Sequence, residues 1–197
     1  MSYTLVTGGA KSGKSTFAES LLEDTAAVCY LATSVMNYQD AEMDARIQRH
    51  QKTRPASWQT EERFLAIDDW IRSTKNNYDA YLLDCVTVLN TNLFFHIMTE
   101  EMGKDLEHVE QLFDAYSPQE RYKIEVRMFQ EWEKIRAVLL ETNTTMILVT
   151  NEVGSGVVPV SAMGRWFQDL LGKVNQYLAK EAESVYFVVC GIPQKIK

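Results

Sequence analysis

The chain carries the sequence GGAKSGKS at Gly8–Ser15, which fits the phosphate-binding pattern G-x-x-x-x-G-K-[ST]. The apolar run Tyr3–Thr7 before it predicts a β-strand, and TFAESLL at Thr16–Leu22 after it predicts a helix. The pattern requires this context, since a glycine turn between a strand and a helix aims backbone N–H groups at an anion. The alternative is a Gly/Ser loop that matches by chance, which would not need either flanking element.

Each part of this loop has a chemical role in the prediction. Glycines permit the backbone conformations that bring N–H groups close to a phosphate. Lys14 is expected to reach the β- and γ-phosphates, as a catalytic residue, and the Ser15 hydroxyl is expected to bind Mg²⁺. The loop residues predicted to bind nucleotide are Gly8, Gly9, Ala10, Lys11, Ser12, Gly13, Lys14 and Ser15.

The bulk composition narrows the classes of partner. A length of 197 residues suits one domain over 1–197. The formal net charge of −7 argues against a nucleic-acid partner. No apolar run approaches the roughly 20 residues of a membrane span. No apolar leader precedes the first strand, and Cys29, Cys85 and Cys190 form no C-x-x-C pair. We therefore expect a cytoplasmic protein whose thiols are small buried side chains.

Apolar runs of strand type recur along the chain and alternate with helical stretches. This alternation predicts an α/β fold with a mostly parallel central sheet and helices on both faces. The predicted strands are Tyr3–Thr7, Val28–Ala32, Ala80–Leu83, Met146–Thr150 and Val185–Val189.

Two long helices are predicted in the second half of the chain. The sequence SPQE at Ser117–Glu120 supplies an N-cap, a first-turn proline and a capping-box glutamate for a helix that reaches Glu141. A second helical pattern spans Ser161–Lys180, and its aromatic side chains are predicted to be core or subunit contacts rather than a base-stacking platform. The polar, acidic stretch Met98–Pro118 is predicted to be a solvated excursion.

Asp84 directly follows the apolar run Ala80–Leu83. We call the phosphate-binding loop Gly8–Ser15 the P-loop. An acidic residue at the carboxyl end of a parallel strand lies beside the phosphates of a nucleotide bound to such a loop, and it binds Mg²⁺ directly or through water. We therefore predict that Asp84 and Ser15 form the metal site. The alternative is a carboxylate that merely caps the end of the strand.

His50 lies in a cation-rich stretch of the sequence. Four cations near one imidazole favour its neutral, nucleophilic form and would hold a polyphosphate against it. A solvated amphipathic helix over Asp40–His50 explains the same pattern, because acids at its start and bases at its end suit the helix dipole. The cations near His50 in sequence are Arg46, Arg49, Lys52 and Arg54.

A glycine-rich loop, NEVGSGVVP at Asn151–Pro159, follows another predicted strand end. It is expected at the same edge of the sheet as the P-loop, where Asn151 and Glu152 are placed to position a nucleophile or a magnesium-bound water. A plain turn is the alternative reading.

Taken in order, these segments resemble the bifunctional adenosylcobinamide kinase / adenosylcobinamide-phosphate guanylyltransferase family of cobalamin biosynthesis. The resemblance covers nearly the whole chain, and the GGAxSGKS form combined with R-I-x-x-H-x-x-x-R-P is much more specific than a P-loop alone. The segments that carry it are VTGGAKSGKS at Val6–Ser15, YLATS at Tyr30–Ser34, EMDARIQRHQKTRPASWQTEE at Glu42–Glu62, LLDCVT at Leu82–Thr87, NEVGSGVVP at Asn151–Pro159 and RWFQDLLGKVNQYLA at Arg165–Ala179.

The resemblance implies a RecA-like P-loop NTPase fold, a homotrimer and two reactions. The first is phosphorylation of adenosylcobinamide by ATP or GTP. The second transfers GMP from GTP to adenosylcobinamide phosphate through GMP bound covalently to a histidine, which by its place in R-I-x-x-H is His50.

The resemblance also implies further nucleotide contacts. Glu62 is expected to accept hydrogen bonds from the guanine N1–H and N2–H₂ groups, because a carboxylate matches that pair of donors. Glu61 is the competing residue, and the spacing from Trp58 favours Glu62. The nucleotide-binding residues implied beyond the P-loop are Thr33, Ser34, Gln51, Lys52, Thr53, Arg54, Glu62 and Asp84.

Two other classes of function remain open on the sequence. A small-metabolite kinase would use the P-loop alone, with His50 as a bystander, and would form no covalent GMP adduct. A non-catalytic RecA-like nucleotide switch would bind nucleotide without any cobinamide-dependent product.

Overall fold

The computed structural model describes residues 3–34 and 55–197. The predicted helix over Asp40–His50 and the predicted contacts of Gln51, Lys52, Thr53 and Arg54 lie outside the described residues. The elements are β1 Tyr3–Gly8, α1 Lys14–Ser20, β2 Val28–Ala32, β3 Gln59–Glu62, α2 Ile67–Thr74, β4 Ala80–Asp84, α3 Val86–His96, a π-helical turn Ile97–Glu101, a 3₁₀ turn Leu106–His108, α4 Val109–Asp114, α5 Pro118–Thr142, β5 Thr145–Asn151, α6 Ala162–Glu181, β6 Ser184–Val189 and β7 Ile192–Lys195.

The strands form one sheet in the order β3-β2-β4-β5-β1-β6-β7. Every neighbouring pair is parallel except β6 and β7, which are antiparallel. One strand, β5, separates the P-loop strand β1 from β4, which ends at Asp84. The prediction of a mostly parallel, RecA-like α/β fold is therefore confirmed.

Side chains alternate between two buried layers along the central strands, as the two-residue period of a strand requires. On one face, Val6 and Leu82 pack with Ala18 of α1, and we call this the α1 face. On the opposite face, Leu5 and Leu83 pack with residues of α2 to α6. The central strands are buried on both sides, which explains why they are nearly continuous apolar runs.

The five predicted strands are confirmed, with bounds that differ by a residue at some ends. The exposed polar strand β3 and the hairpin strand β7 were not predicted, because neither carries an apolar run. The capping box at Ser117–Glu120 is present and begins α5. Ser161 caps α6 by accepting a hydrogen bond from the Gly164 N–H at 3.1 Å.

The prediction of a solvated excursion over Met98–Pro118 is wrong for its apolar side chains. Met98, Val109 and Phe113 are buried, and the Phe113 ring lies 4.7 Å from that of Trp166 in α6. The buried side chains of α4 are hard to recognise in the sequence. Only two of its six residues are buried, and acidic and polar residues separate them. The segment packs on the α6 side of the core.

The prediction that all three cysteines are buried is wrong for Cys190. Cys29 and Cys85 are buried, whereas Cys190 is exposed. Cys190 follows the last residue of β6 and has a φ of 51°, so it lies in the turn to β7 rather than inside a strand.

Candidate active site

The P-loop requires glycine at two positions for different steric reasons. A Cβ atom on Gly8 would lie 2.5 Å from the Val188 carbonyl oxygen, so no side chain fits there. Gly13 has a φ of 92°, which side chains disfavour, and it is the N-cap of α1. The Gly191 N–H donates a 2.8 Å hydrogen bond to the Ser12 carbonyl oxygen. The β6–β7 turn therefore packs against the P-loop and holds its backbone through this hydrogen bond.

Lys14 is the first residue of α1 and is only 7% exposed. Its Nζ donates a 3.0 Å hydrogen bond to the Gly9 carbonyl oxygen, so the ammonium group is held across the loop. Lys14 and Ser15 also line one cavity at this edge of the sheet. The cation and the hydroxyl expected to act on a triphosphate thus share one wall.

A cavity of about 910 Å³ opens at the carboxyl ends of the strands. Its volume falls in the range of small-molecule sites. It combines the P-loop with the ends of β2, β3, β4, β5 and β6, which is where α/β sheets bind ligands. It is lined by Gly9, Ala10, Lys11, Ser12, Lys14, Ser15, Tyr30, Ala32, Ser34, Thr60, Glu62, Asp84, Cys85, Val88, Asn151, Glu152, Val153, Ser155, Gly156, Phe187, Val188, Val189 and Cys190.

Asp84 lies where the sequence predicts it, at the end of β4 and on the cavity wall. Its Oδ2 accepts a 2.8 Å hydrogen bond from the Tyr30 hydroxyl, which also lines the cavity. Burial, and next the charge of Asp84, raises the pKa of the adjacent Cys85 thiol to about 11. Cys85 is therefore a neutral thiol near pH 7, in line with the prediction of a small buried side chain.

Ser34 lines the cavity, but Thr33 does not. The Thr33 side chain is fully buried, and its Oγ1 donates to the Cys85 carbonyl oxygen at 2.9 Å and accepts from the Cys85 N–H at 3.0 Å. The Thr33 carbonyl oxygen accepts a 2.6 Å hydrogen bond from Asn92 Nδ2. In this structure Thr33 joins the ends of β2 and β4, and a direct nucleotide contact by its hydroxyl stays a prediction.

The two candidate glutamates of β3 occupy different environments. Glu62 lines the cavity. Glu61 instead accepts a 2.7 Å hydrogen bond from Arg63, whose guanidinium lies 4.8 Å from the centre of the Trp70 ring. This arrangement follows from the alternation of side chains along β3. It favours Glu62 over Glu61 as the residue available to a ligand.

The Asn151–Pro159 loop reaches the P-loop edge, as the sequence predicts. The Glu152 N–H donates a 3.0 Å hydrogen bond to the Gly8 carbonyl oxygen, and Glu152 Oε1 accepts one from the Gly154 N–H at 2.7 Å. Asn151 is held by Thr87, whose Oγ1 accepts from the Asn151 N–H at 3.1 Å. Asn151 and Glu152 both line the cavity, so this segment is more than a plain connecting turn.

Sequence reasoning missed the wall formed by Phe187–Cys190, at the end of β6 and its turn. The available signal was weak: an apolar strand followed by Cys190-Gly191, a pair that permits a tight turn. What decides its role is the position of β6 beside β1, which brings this turn next to the P-loop.

The donor chemistry of the cavity suits a magnesium–nucleotide complex better than a protein-only metal site. Among residues 3–34 and 55–197, no group of three or more His, Cys, Asp or Glu side chains is arranged to hold a metal ion. Mg²⁺ in nucleotide sites is held by one or two protein oxygens together with the substrate phosphates. Ser15 and Asp84 supply such oxygens on the wall of the same cavity.

Comparison with known proteins identifies the family of the chain. The family model described as "Cobinamide kinase / cobinamide phosphate guanyltransferase" matches residues 4–196. The chain belongs to this family. The match runs from β1 through β7.

Curated relatives show the same extent of similarity. The chain is 42% identical over 193 residues to the "Bifunctional adenosylcobalamin biosynthesis protein CobU" of Escherichia coli (strain K12), covering 98% of both chains. Identity and coverage are the same for the protein of that name from Salmonella typhimurium (strain LT2). It is 36% identical over 194 residues to the "Bifunctional adenosylcobalamin biosynthesis protein CobP" of Pseudomonas aeruginosa PAO1, covering 98% of this chain and 96% of the relative.

No helix in the described part of the chain has the length and apolar character needed to span a bilayer.

Proposed function

We propose that this chain is a cytoplasmic, homotrimeric enzyme that phosphorylates adenosylcobinamide with ATP or GTP and then transfers GMP from GTP to adenosylcobinamide phosphate. We propose one catalytic domain over 1–197. The observation that carries the proposal is the shared cavity, where Lys14, Ser15, Asp84 and Glu62 converge from separate elements. Family membership supplies the two reactions.

In the kinase step, the substrate hydroxyl oxygen attacks the γ-phosphorus and gives up its proton to solvent, the bond from the γ-phosphorus to the bridging oxygen breaks, and the nucleoside diphosphate leaves. Lys14 and the P-loop N–H groups stabilise the charge that develops on the phosphate oxygens. We assign Glu152 and Asn151 to orienting the attacking hydroxyl group, since both line the cavity beside the P-loop.

In the transferase step, a neutral histidine nitrogen, which we assign to His50, attacks the α-phosphorus of GTP and releases pyrophosphate. A phosphate oxygen of adenosylcobinamide phosphate then attacks the same phosphorus, and the P–N bond to the histidine breaks. The product is adenosyl-GDP-cobinamide, and the imidazole is regenerated.

We propose that Mg²⁺ is held by Ser15 and Asp84 together with the nucleotide phosphates. The ion would neutralise charge on the leaving phosphate groups. We propose that Glu62 accepts hydrogen bonds from the guanine N1–H and N2–H₂ groups, and its place on the cavity wall supports this over Glu61. The proposed contacts of Thr33, Ser34, Gln51, Lys52, Thr53 and Arg54 complete the nucleotide site.

The decisive experiment is incubation of the full chain with GTP labelled on the α-phosphorus. We expect an acid-labile, alkali-stable adduct, and His50→Ala should abolish both the adduct and guanylyl transfer while part of the kinase activity survives. Phosphoryl transfer from the γ position needs positioning and charge stabilisation but no protein nucleophile. Thermal unfolding of the variant checks that it is folded.

His96→Ala and His108→Ala are the matched controls. The His96 ring lies 6.0 Å from that of Phe64, His108 Nδ1 lies 3.1 Å from Asp105 Oδ2, and neither residue lines the cavity. Both variants should keep the adduct. A labelled peptide that contains His96 or His108 but not His50 would refute the assignment. Kinase activity without any adduct would indicate a small-metabolite kinase, and nucleotide binding without either product a nucleotide switch.

A further inference from the structure

The carboxylate of Asp84 is tied to a tyrosine from the neighbouring strand. Tyr30 lies in β2, and its hydroxyl donates a 2.8 Å hydrogen bond to Asp84 Oδ2. Both residues line the cavity. Neither the sequence pattern of the P-loop nor that of the acidic strand end includes this tyrosine as a functional group.

The register of the sheet explains why Tyr30 reaches this carboxylate. Ala32, two residues after Tyr30, is the direct partner of Asp84 across the β2–β4 pair. Tyr30 and Asp84 are therefore diagonal neighbours on one face, because side chains repeat every two residues along a strand. Strand spacing of about 4.8 Å and a rise of about 3.3 Å per residue put their Cα atoms about 8 Å apart, which a long aromatic side chain bridges.

Packing holds the tyrosine in place. Tyr30 is 5% exposed and belongs to the buried cluster of the α1 face, together with Val6 and Leu82. A hydroxyl on a ring that is fixed in a core offers its proton in one direction at little entropic cost. A hydrogen bond to a charged acceptor is also stronger than one between neutral groups. The Tyr30 hydroxyl therefore fixes Oδ2 of the Asp84 carboxylate, and Oδ1 takes no part in this hydrogen bond.

We propose that Tyr30 is a positioning residue, whose hydroxyl orients the Asp84 carboxylate so that Oδ1 serves the divalent cation of the bound nucleotide. This inference rests on the proposed function of Asp84 as a metal ligand. It predicts that losing the hydroxyl weakens metal binding, because the carboxylate must then be ordered when the ion binds. Nucleotide binding without metal should change little, since Tyr30 acts through Asp84.

Tyr81 provides a matched control in the adjacent strand. Its hydroxyl forms a hydrogen bond of the same length, 2.8 Å, to Thr74 Oγ1. Tyr81 is fully buried in the cluster on the opposite face of the sheet and does not line the cavity. Tyr30→Phe and Tyr81→Phe each remove one phenol oxygen from a buried strand, but only the first touches Asp84.

The experiment measures Mn²⁺ binding to the full chain by electron paramagnetic resonance. It uses a GTP analogue with a methylene group between the α- and β-phosphorus, which cannot release GMP. We expect Tyr30→Phe to raise the Mn²⁺ concentration at half saturation about three- to tenfold, as the entropic cost of ordering one side chain implies. Tyr81→Phe should bind Mn²⁺ like the wild type. Affinity for the analogue in excess chelator should be unchanged in both, which shows that the cavity is folded.

The outcomes distinguish failure of the positioning role of Tyr30 from failure of the proposed function. Wild-type Mn²⁺ affinity in Tyr30→Phe, or an equal loss in Tyr81→Phe, overturns the positioning role while leaving the proposed function intact. Asp84→Asn should weaken Mn²⁺ binding more than Tyr30→Phe does. Wild-type Mn²⁺ affinity in Asp84→Asn would overturn the metal role of Asp84 and this inference with it. Failure of the wild type to form the GMP adduct counts against the proposed function alone, because Mn²⁺ binding is read without catalysis.

Discussion

The two walls of the cavity are built in different ways. The P-loop wall comes from eight consecutive residues, Gly8–Ser15, and its geometry rests on backbone conformation and steric fit. The other groups come from the separate strand ends that carry Ser34, Glu62 and Asp84, and Asp84 is held by a side-chain hydrogen bond from Tyr30. Substitutions in the P-loop wall should therefore act through steric clashes or through loss of its cation. Substitutions in the strand-end wall should each remove one contact and have smaller effects.

The largest effect should come from the cation of the P-loop wall. Lys14→Ala should reduce both the kinase and the transferase rate by about 100-fold or more, because it removes a charge that stabilises the transferring phosphate groups. Steady-state kinetics of the two reactions measure this. If the variant kept full rates in both, the P-loop would not be the catalytic site.

The steric character of the same wall can be tested with neighbouring glycines. Gly8→Ala should lower the free energy of unfolding by about 1–3 kcal/mol, as overpacking does, because its Cβ would lie 2.5 Å from the Val188 carbonyl oxygen. Gly9→Ala is the control, since its added Cβ would meet no atom within 4 Å beyond its own residue and its two chain neighbours. Urea unfolding without nucleotide compares them. Equal stabilities would show that the close packing of the loop on β6 does not contribute to stability.

Substitutions of Thr33 test whether this buried residue supports the fold at the strand ends or contacts the nucleotide directly. Thr33→Val should cost about 1–3 kcal/mol of stability, because the buried N–H of Cys85 loses its hydrogen-bond partner, whereas the Cys85 carbonyl oxygen still accepts from the Leu89 N–H. Thr33→Ser keeps the hydroxyl and should lose less. Thermal unfolding and nucleotide affinity are measured together. A loss of affinity in Thr33→Val without loss of stability would instead favour the direct nucleotide contact.

A single side chain of the strand-end wall should set the base preference. Glu62→Gln should weaken GTP binding by about tenfold and leave ATP binding nearly unchanged, since an amide offers one acceptor and adds a donor that faces the guanine N–H groups. Glu61→Gln is the control, because Glu61 is paired with Arg63 away from the cavity. Competition binding with the two nucleotides decides the assignment. A larger effect from Glu61→Gln would reverse it.

The smallest effect concerns thiol reactivity around the cavity. Burial raises the pKa of the Cys29 and Cys85 thiols to about 11, so roughly one in a thousand is thiolate at pH 8. A disulfide reagent should therefore modify one thiol per folded chain, Cys190, which is exposed on the cavity wall. GTP should slow this modification. Rapid labelling of Cys85 in the folded chain would contradict the buried strand end.

The sequence by itself determined the elements whose signals are local. The P-loop, the buried strands and the capping box of α5 were all predicted, because each depends on residues within one turn or one strand. The same holds for Asp84, whose place at a strand end follows from the apolar run before it. Local backbone preference and hydrophobic period carry this information without knowledge of the rest of the chain.

Only the tertiary structure decided which strand ends share the cavity. The order β3-β2-β4-β5-β1-β6-β7 brings the turn at Cys190 against the P-loop and places Tyr30 diagonally across from Asp84. The same packing turns Thr33 into the core and separates Glu62 from Glu61. These roles depend on pairing between residues far apart in sequence, and such pairing leaves no periodic signal in the strand that carries it.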